Sequence, residues 1–467
     1  MNGTAAPSTS TPGNRSTHDL LVKTADRAGR YLAGLADRPV GVTDSAIQEL
    51  ARLDETLPDG PTDPAEVLAL LDDIGSPATV ATAGGRYFGF VMGGTLPAAL
   101  AANWLAGAWD QNAALTVMSP VAARLEEIVL GWLTGIFGLP AETGAAFVTG
   151  ATMANVAALA AARHRVLADA DWDVEADGLF GAPPINVVVG DESHVSVAKA
   201  LSLLGFGRER VIRVPVDGQG RLRADALPAV AGPTIVCAQA GNVNTGAFDP
   251  IGEICAWARG TGAWVHVDGA FGLWAAASPA RAHLVAGVAG ADSWTVDAHK
   301  WLNVPYDSGI ALVRDADALR GAMSVSAAYL LAGDAREPSH YVPESSRRAR
   351  GVELWAALRS LGRAGLADLI ERCCRHAERF AEGLRAAGYE VLNEVELNQV
   401  LVRFGDDETT RRVIAGIQAD GTCWCGATVW RGQAAMRISV SSWATTDEDV
   451  ERSLAAMIRV ARSQLQA

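Results

Sequence analysis

A chain of 467 residues with a formal net charge of −14 and a pI of about 5.1 presents no basic surface for nucleic acid or anionic membrane, and neither is expected as a partner. Its length suits two or three packed units around a large core. The six cysteines (Cys237, Cys255, Cys373, Cys374, Cys423, Cys425) are scattered without a disulfide framework or a C-x-x-C zinc pattern, so a reducing cytoplasm and no metal are expected.

Residues 1–17, "MNGTAAPSTSTPGNRST", lack the apolar core of a signal peptide and read as a disordered tail. Residues 18–115 follow as a helical segment that turns from amphipathic to apolar and ends in "FGFVMGGTLPAALAANWLAGAWDQNAALTV", a glycine- and aromatic-rich wall. No uninterrupted apolar run reaches membrane-spanning length. From residue 116 to 350 short β-branched runs ("AAFV", "INVVV", "RVIRV", "TIVCA", "AWVHV", "SWTV", "GIALV") alternate with helical stretches. That pattern predicts an α/β fold with a mostly parallel central sheet and helices on both faces. The last part, 351–467, begins with a long amphipathic helix within "SRRARGVELWAALRSLGRAGLADLIERCCRHAERF" and continues with "YEVL", "QVLVRF", a helix and "AMRISVSSW", a smaller α+β domain.

Ligands of open α/β sheets gather at the carboxyl ends of the strands, and four polar clusters sit there. "FVTGATMANVAAL" is strand, glycine turn and helix start, where the N–H groups of Gly150, Ala151 and Thr152 and the Thr152 hydroxyl suit a phosphate. It matches neither nucleotide-binding glycine motif, and Thr152 is equally suited to capping the helix. "GDESHVSVAKA" puts His194 at a helix start, "AWVHVDGAFG" leaves Asp268 at a strand end, and "SWTVDAHKWLNVPYDSG" presents His299 and Lys300. The chain has 39 Lys plus Arg, of which only Lys23, Lys199 and Lys300 are lysine. A lysine can lose its proton and attack a carbonyl as arginine cannot, although pairing with Asp297 or Asp307 would also account for it. Together the clusters offer a phosphate cradle, a stacking imidazole, a carboxylate and a nucleophilic amine. That is the set pyridoxal phosphate requires.

With these motifs in hand the sequence resembles the group II pyridoxal-phosphate decarboxylases, the aromatic amino acid and glutamate decarboxylase family of the aspartate aminotransferase (fold-type I) superfamily. The resemblance runs from about Phe88 to the C-terminus through "SPVAARLEEIVLGWL", "DESHVSVAKA", "GAFDP", "HVDGAFG", "DAHKWL" and "SRRARGVELW". It implies Lys300 as the Schiff-base lysine, Asp268 at the pyridine nitrogen, His194 stacked on the ring, Thr152 at the phosphate and His299 nearby. Tyr329 in "SVSAAYLLAGD" matches the tyrosine that returns a proton to the α-carbon. Phe88 and Phe90 resemble the substrate wall, and Arg347 and Arg437 are candidates for the substrate carboxylate. The family is dimeric, with active sites at the subunit interface that the N-terminal segment helps to form. Where many relatives read G-T-T, this chain reads Gly241, Asn242, Val243, Asn244, so a hydroxyl is missing that the Asn242 side chain would have to replace. The expected activity is decarboxylation of an L-amino acid or a derived metabolite. Oxidative deamination to an aldehyde, β-elimination with C–S cleavage and a catalytically silent scaffold remain open beside it.

Overall fold

The computed structural model describes residues 12–325 and 336–466, and Tyr329 lies outside the described residues. Seven strands, β1 (Gly144–Val148), β2 (Asn186–Gly190), β3 (Ile212–Val214), β4 (Thr234–Gln239), β5 (Trp264–Asp268), β6 (Ser293–Asp297) and β7 (Gly309–Val313), form one sheet in the order β1-β7-β6-β5-β4-β2-β3. Only β7 runs against its neighbours. The chain between β6 and β7, residues 298–308, is too short for the crossover of a dozen or more residues that a parallel return requires, so it folds straight back. That return is the lysine turn.

Strands β1, β4, β5, β6 and β7 are buried along their whole length, as a sheet covered on both faces demands. Their side chains alternate between two cores. Phe147, Val265, Val267 and Trp294 pack with Trp274, Trp301 and Leu354 on one face. Ala146, Val148, Trp264 and Ala311 pack under the Ala151–Ala168 helix on the other. That helix is rich in alanine, which lets its backbone lie close to the strands and brings Asn155 into the interior.

The N-terminal part holds the helices Pro12–Ala33, Asp44–Glu49, Pro64–Gly75 and Pro97–Trp109. The first begins inside the stretch read as a tail, on a proline whose fixed φ suits a leading helical position. Residues 79–96 are not helical, contrary to the sequence reading. Here Tyr87 bridges to Trp424, the Phe88 N–H bonds Trp424 O (2.8 Å) and the Ser439 N–H bonds Phe88 O (2.9 Å), so the segment docks on the C-terminal sheet. That sheet is antiparallel, β8 (Glu390–Val391), β9 (Gln399–Arg403), β10 (Gly426–Trp430) and β11 (Gln433–Ser439), in the order β10-β11-β9-β8. The long helix starts at Gly351, not within "SRRAR", and is interrupted at Gly362, whose φ of 61° takes it out of helical geometry. No helix among the described residues is long and apolar enough to cross a membrane.

Candidate active site

Lys300 sits on a single helical turn, Ala298–Trp301, that caps the carboxyl end of β6. Its Nζ lies 3.0 Å from Asp297 Oδ2. Asn303 secures the turn: its Nδ2 donates to Lys300 O (3.1 Å), Trp301 O (3.0 Å) and Ser441 O (3.0 Å), and its Oδ1 accepts the Trp443 N–H (2.6 Å). Asn303 adopts a left-handed φ of 57°, which asparagine tolerates better than most residues. Over this turn passes the loop at Gly93, where an added Cβ would fall on Lys300 O and the Asn303 side chain. Only glycine permits that approach.

His299 accepts the Ser308 N–H on Nδ1 (3.1 Å) and carries the Tyr306 ring at 4.4 Å. Burial pushes the imidazole below its ordinary value, outweighing the nearby Asp297 charge. Burial, helped by the Asp297 charge, pushes the Tyr306 phenol up to about 12, so it stays neutral and able to donate.

One strand away, at the end of β5, Asp268 is buried, and Asn155 Nδ2 (3.3 Å) and Ser196 Oγ (3.4 Å) face its Oδ2 while the Ala270 N–H donates to Oδ1 (3.2 Å). His194 caps the Val195–Leu203 helix, its Nδ1 accepting the Ser196 N–H (3.2 Å). Nε2 therefore carries the proton of the neutral ring. Burial lowers its pKa, with Asp268 opposing and Lys300 and Arg437 adding to the shift, so the imidazole stays uncharged within reach of both the lysine and the carboxylate.

Gly150 precedes the Ala151–Ala168 helix, which has no side-chain cap, so its leading N–H groups are left for another acceptor. A Cβ at Gly150 would stand 3.1 Å from His299 Cε1, and one at Gly309 would strike the Gly150 backbone. Two glycines thus keep open a cradle that side chains would fill. An anion at a helix start, an amine, a flat imidazole and a buried carboxylate are the donor set pyridoxal phosphate needs, and the residues present fit it. One atom stands out, since Asp297 Oδ1 is buried in this cradle without a partner among the described residues.

The sequence-derived candidates divide accordingly. Lys300, His299, Asp268, His194 and residues 150–152 converge at the carboxyl ends of β1, β5 and β6. Arg437 joins them through its field at His194. It donates to Val243 O (3.0 Å) and has no acidic partner among the described residues, and burial lowers its pKa. Arg347 does not join. Its guanidinium is buried against Glu126 (2.5 Å) and Phe147 O (3.2 Å), so a substrate carboxylate would have to displace Glu126. Phe88 is no wall either: it is 1% exposed and packs edge-on against Phe380, because its backbone is paired to Trp424 and Ser439. Phe90 is exposed and stacks on Trp424, as does Tyr87. Asn242 turns its Oδ1 onto the N–H groups of Asn244 (2.8 Å) and Thr245 (3.2 Å), closing its own turn, while its Nδ2 is buried with no partner among the described residues.

Sequence reasoning missed Asn155, Ser196 and Tyr306, and it weighed Asp297 only as an ion-pair partner for Lys300, a pairing found at 3.0 Å. The helical spacing of Asn155 from Thr152, and the position of Ser196 just after a capping histidine, were the available signals.

The chain matches the family model described as the pyridoxal-dependent decarboxylase conserved domain over residues 48–405. It is 31% identical over 385 residues to L-2,4-diaminobutyrate decarboxylase of Rhizobium meliloti (strain 1021), covering 78% of this chain and 75% of that one. To aromatic-L-amino-acid decarboxylase of Bacillus atrophaeus it is 26% identical, covering 90% of each. Among solved structures, Oryza sativa TDC with PLP and tryptamine superposes with a TM-score of 0.90 at 23% identity, over 98% of this chain and 99% of that one. Mouse CSAD superposes with a TM-score of 0.89 at 22% identity, over 96% and 99%.

Proposed function

Because the chain belongs to the pyridoxal-dependent decarboxylase family, we propose that its cofactor, pyridoxal phosphate, is held by residues 150–152, His194, Asp268, His299 and Lys300, and that Arg437 holds the carboxylate of an L-amino acid substrate. The observation that carries this reading is the convergence of the Lys300 amine, held 3.0 Å from Asp297, and the buried, donor-held Asp268 carboxylate close enough to the His194 imidazole for both charges to act on it. When bound, the cofactor supplies an aldehyde that captures amines and a pyridinium ring that accepts the electron pair left by departing carbon dioxide.

The chain's own residues do the rest. Asp297 Oδ2, 3.0 Å from Nζ, takes the proton that the Lys300 ammonium must lose before it attacks a carbonyl. Asp268 favours a proton on the ring nitrogen, and the neutral His194 face excludes water from one side of the ring. Arg437 orients the substrate carboxylate. Neutral phenols at Tyr306 and Tyr87, the latter pushed up to about 12 by burial, stand near enough to Asp297 and Arg437 to feel their charge and supply donors. Exposed Trp104, Leu105 and Trp109 on the Pro97–Trp109 helix, continued by Val117, Met118 and Val121, support a homodimer in which this face is covered.

The test is a panel of L-amino acids offered to the loaded enzyme while carbon dioxide, ammonia and peroxide are recorded together. Carbon dioxide alone marks an amine-forming decarboxylase. All three together mark the oxidative alternative, and no carbon dioxide from any member refutes the proposal.

A further inference from the structure

Behind Asp268 lies a chain of hydrogen bonds that the chemistry above does not use. Trp264 Nε1 donates to Ser293 Oγ (2.8 Å), which faces His266 Nδ1 (2.9 Å). His266 Nε2 faces Asn155 Oδ1 (2.9 Å), and Asn155 Nδ2 faces both Asp268 Oδ2 (3.3 Å) and Ser196 Oγ (3.2 Å). Asn155, His266 and Ser293 are completely buried. The directions follow from one end. The Asp268 carboxylate only accepts, so Asn155 Nδ2 donates to it and Asn155 Oδ1 is the acceptor facing His266 Nε2; Nδ1 is left to accept the Ser293 hydroxyl proton, while Ser293 Oγ accepts the Trp264 indole N–H. His266 is then protonated on Nε2 and donates to Asn155 Oδ1, which leaves the amide N–H groups pointing at Asp268. Burial holds the imidazole neutral, with its pKa lowered to about 4, so it donates one proton and no charge.

From this geometry we infer that His266 is a positioning residue for the cofactor: it locks the Asn155 amide in the one orientation that donates to Asp268. A flipped amide would set its oxygen against the carboxylate. Oδ2 of Asp268 would then lose its amide donor and keep only Ser196 Oγ (3.4 Å), with the Ala270 N–H still on Oδ1 (3.2 Å), and the carboxylate would be freer to turn from the ring nitrogen or to take up the proton it is meant to keep on that nitrogen. Strand β5 thus carries the carboxylate and, two residues earlier on the same edge, the group that aims it. The inference rests on Asp268 facing the ring nitrogen.

The experiment reconstitutes the enzyme with pyridoxal phosphate labelled with ¹⁵N in the ring and reads the nitrogen chemical shift together with the cofactor dissociation constant. His266→Ala is expected to move the shift toward that of unprotonated pyridine and to weaken cofactor binding about tenfold, the effect of losing one hydrogen bond to a charged group. His266→Gln, whose amide N–H can replace the Nε2 donor, is expected to restore both. A shift and an affinity unchanged in His266→Ala would overturn the inference. Should that variant not fold, Ser293→Ala, which frees the tautomer without opening a large cavity, decides on the same two readings. Asp268→Asn separates the premise: if it leaves the shift unchanged, the placement of Asp268 fails. If it moves the shift while His266→Ala does not, only the relay fails.

Discussion

Two arginines, Arg347 buried and Arg437 half-buried, were candidates for the substrate carboxylate, and replacing each by methionine separates them because their surroundings differ. Arg347 is paired with Glu126, itself 1% exposed, and the other cation near Glu126 is Arg336 at 3.5 Å. Removing Arg347 strands a buried carboxylate, and about 3 kcal/mol of stability should be lost, the low end for breaking a buried pair because Arg336 remains. Among the described residues Arg437 donates to Val243 O and faces no carboxylate, so its replacement removes an uncompensated, half-buried cation and should change stability by less than about 1 kcal/mol. Its loss should appear in catalysis. A charge-assisted hydrogen bond of about 2–3 kcal/mol corresponds to a fall in kcat/KM of about 30- to 150-fold, mostly through KM. Denaturant unfolding and steady-state carbon dioxide release on one preparation read both quantities. The assignment is refuted if Arg437→Met keeps KM within about threefold of wild type, or if Arg347→Met raises KM while leaving stability intact.

Borohydride reduction of the loaded protein should place the pyridoxyl label on Lys300, and a peptide map with the label on Lys23 or Lys199 would contradict the site. His266 has an ordinary value of 6.5 and a folded value of about 4, so the unfolded chain takes up a proton in that window that the native state refuses. Its contribution to stability is fully present above pH 6.5 and lost progressively down to about 4, by about 3 kcal/mol in total; His266→Gln should flatten the acid limb of a stability-versus-pH curve by that amount. Gly93→Ala should cost about 1–3 kcal/mol of stability, since neither the Lys300 carbonyl nor the Asn303 amide can yield without breaking the turn. Thermal denaturation and cofactor retention on gel filtration check it, and unchanged values in both would show that the loop has room to move.

The alternation of β-branched runs with helices made every strand of the large sheet visible in the sequence, from "AAFV" to "GIALV"; β1 and β4 to β7, buried on both faces, read as continuous apolar runs, whereas β3 carries the exposed Arg213. The reversal of β7 was not visible in composition; it follows from the shortness of the 298–308 connection. Strand β10 escaped notice because its exposed positions break the apolar pattern. In the site, Lys300, Asp268 and His194 were legible since each occupies a strand end or helix start with a chemical reason for its type. Arg347 and Phe88 were misread because side-chain direction is set by partners far along the chain: Glu126 for the one, and Phe380 with the pairing to Trp424 and Ser439 for the other. Asn155 looked like one polar residue on an alanine-rich helix, and only its bonds to strands β5 and β6 through His266 and Ser293 give it meaning.

The turn that carries Lys300 is fastened from two separate stretches of chain. Asn303 bonds Ser441 and Trp443, its carbonyl accepts the Leu96 N–H (2.7 Å), and Trp443 Nε1 reaches back to Thr95 O (2.9 Å). A ribosome releases those partners in a fixed order, and Ser441 and Trp443 come long after the seven-stranded sheet. Until they arrive the lysine turn lacks half of its fastenings, although the sheet that bears it is already made. A chain truncated before Ser441 is expected to own every residue of the cradle and still hold the reactive amine loosely.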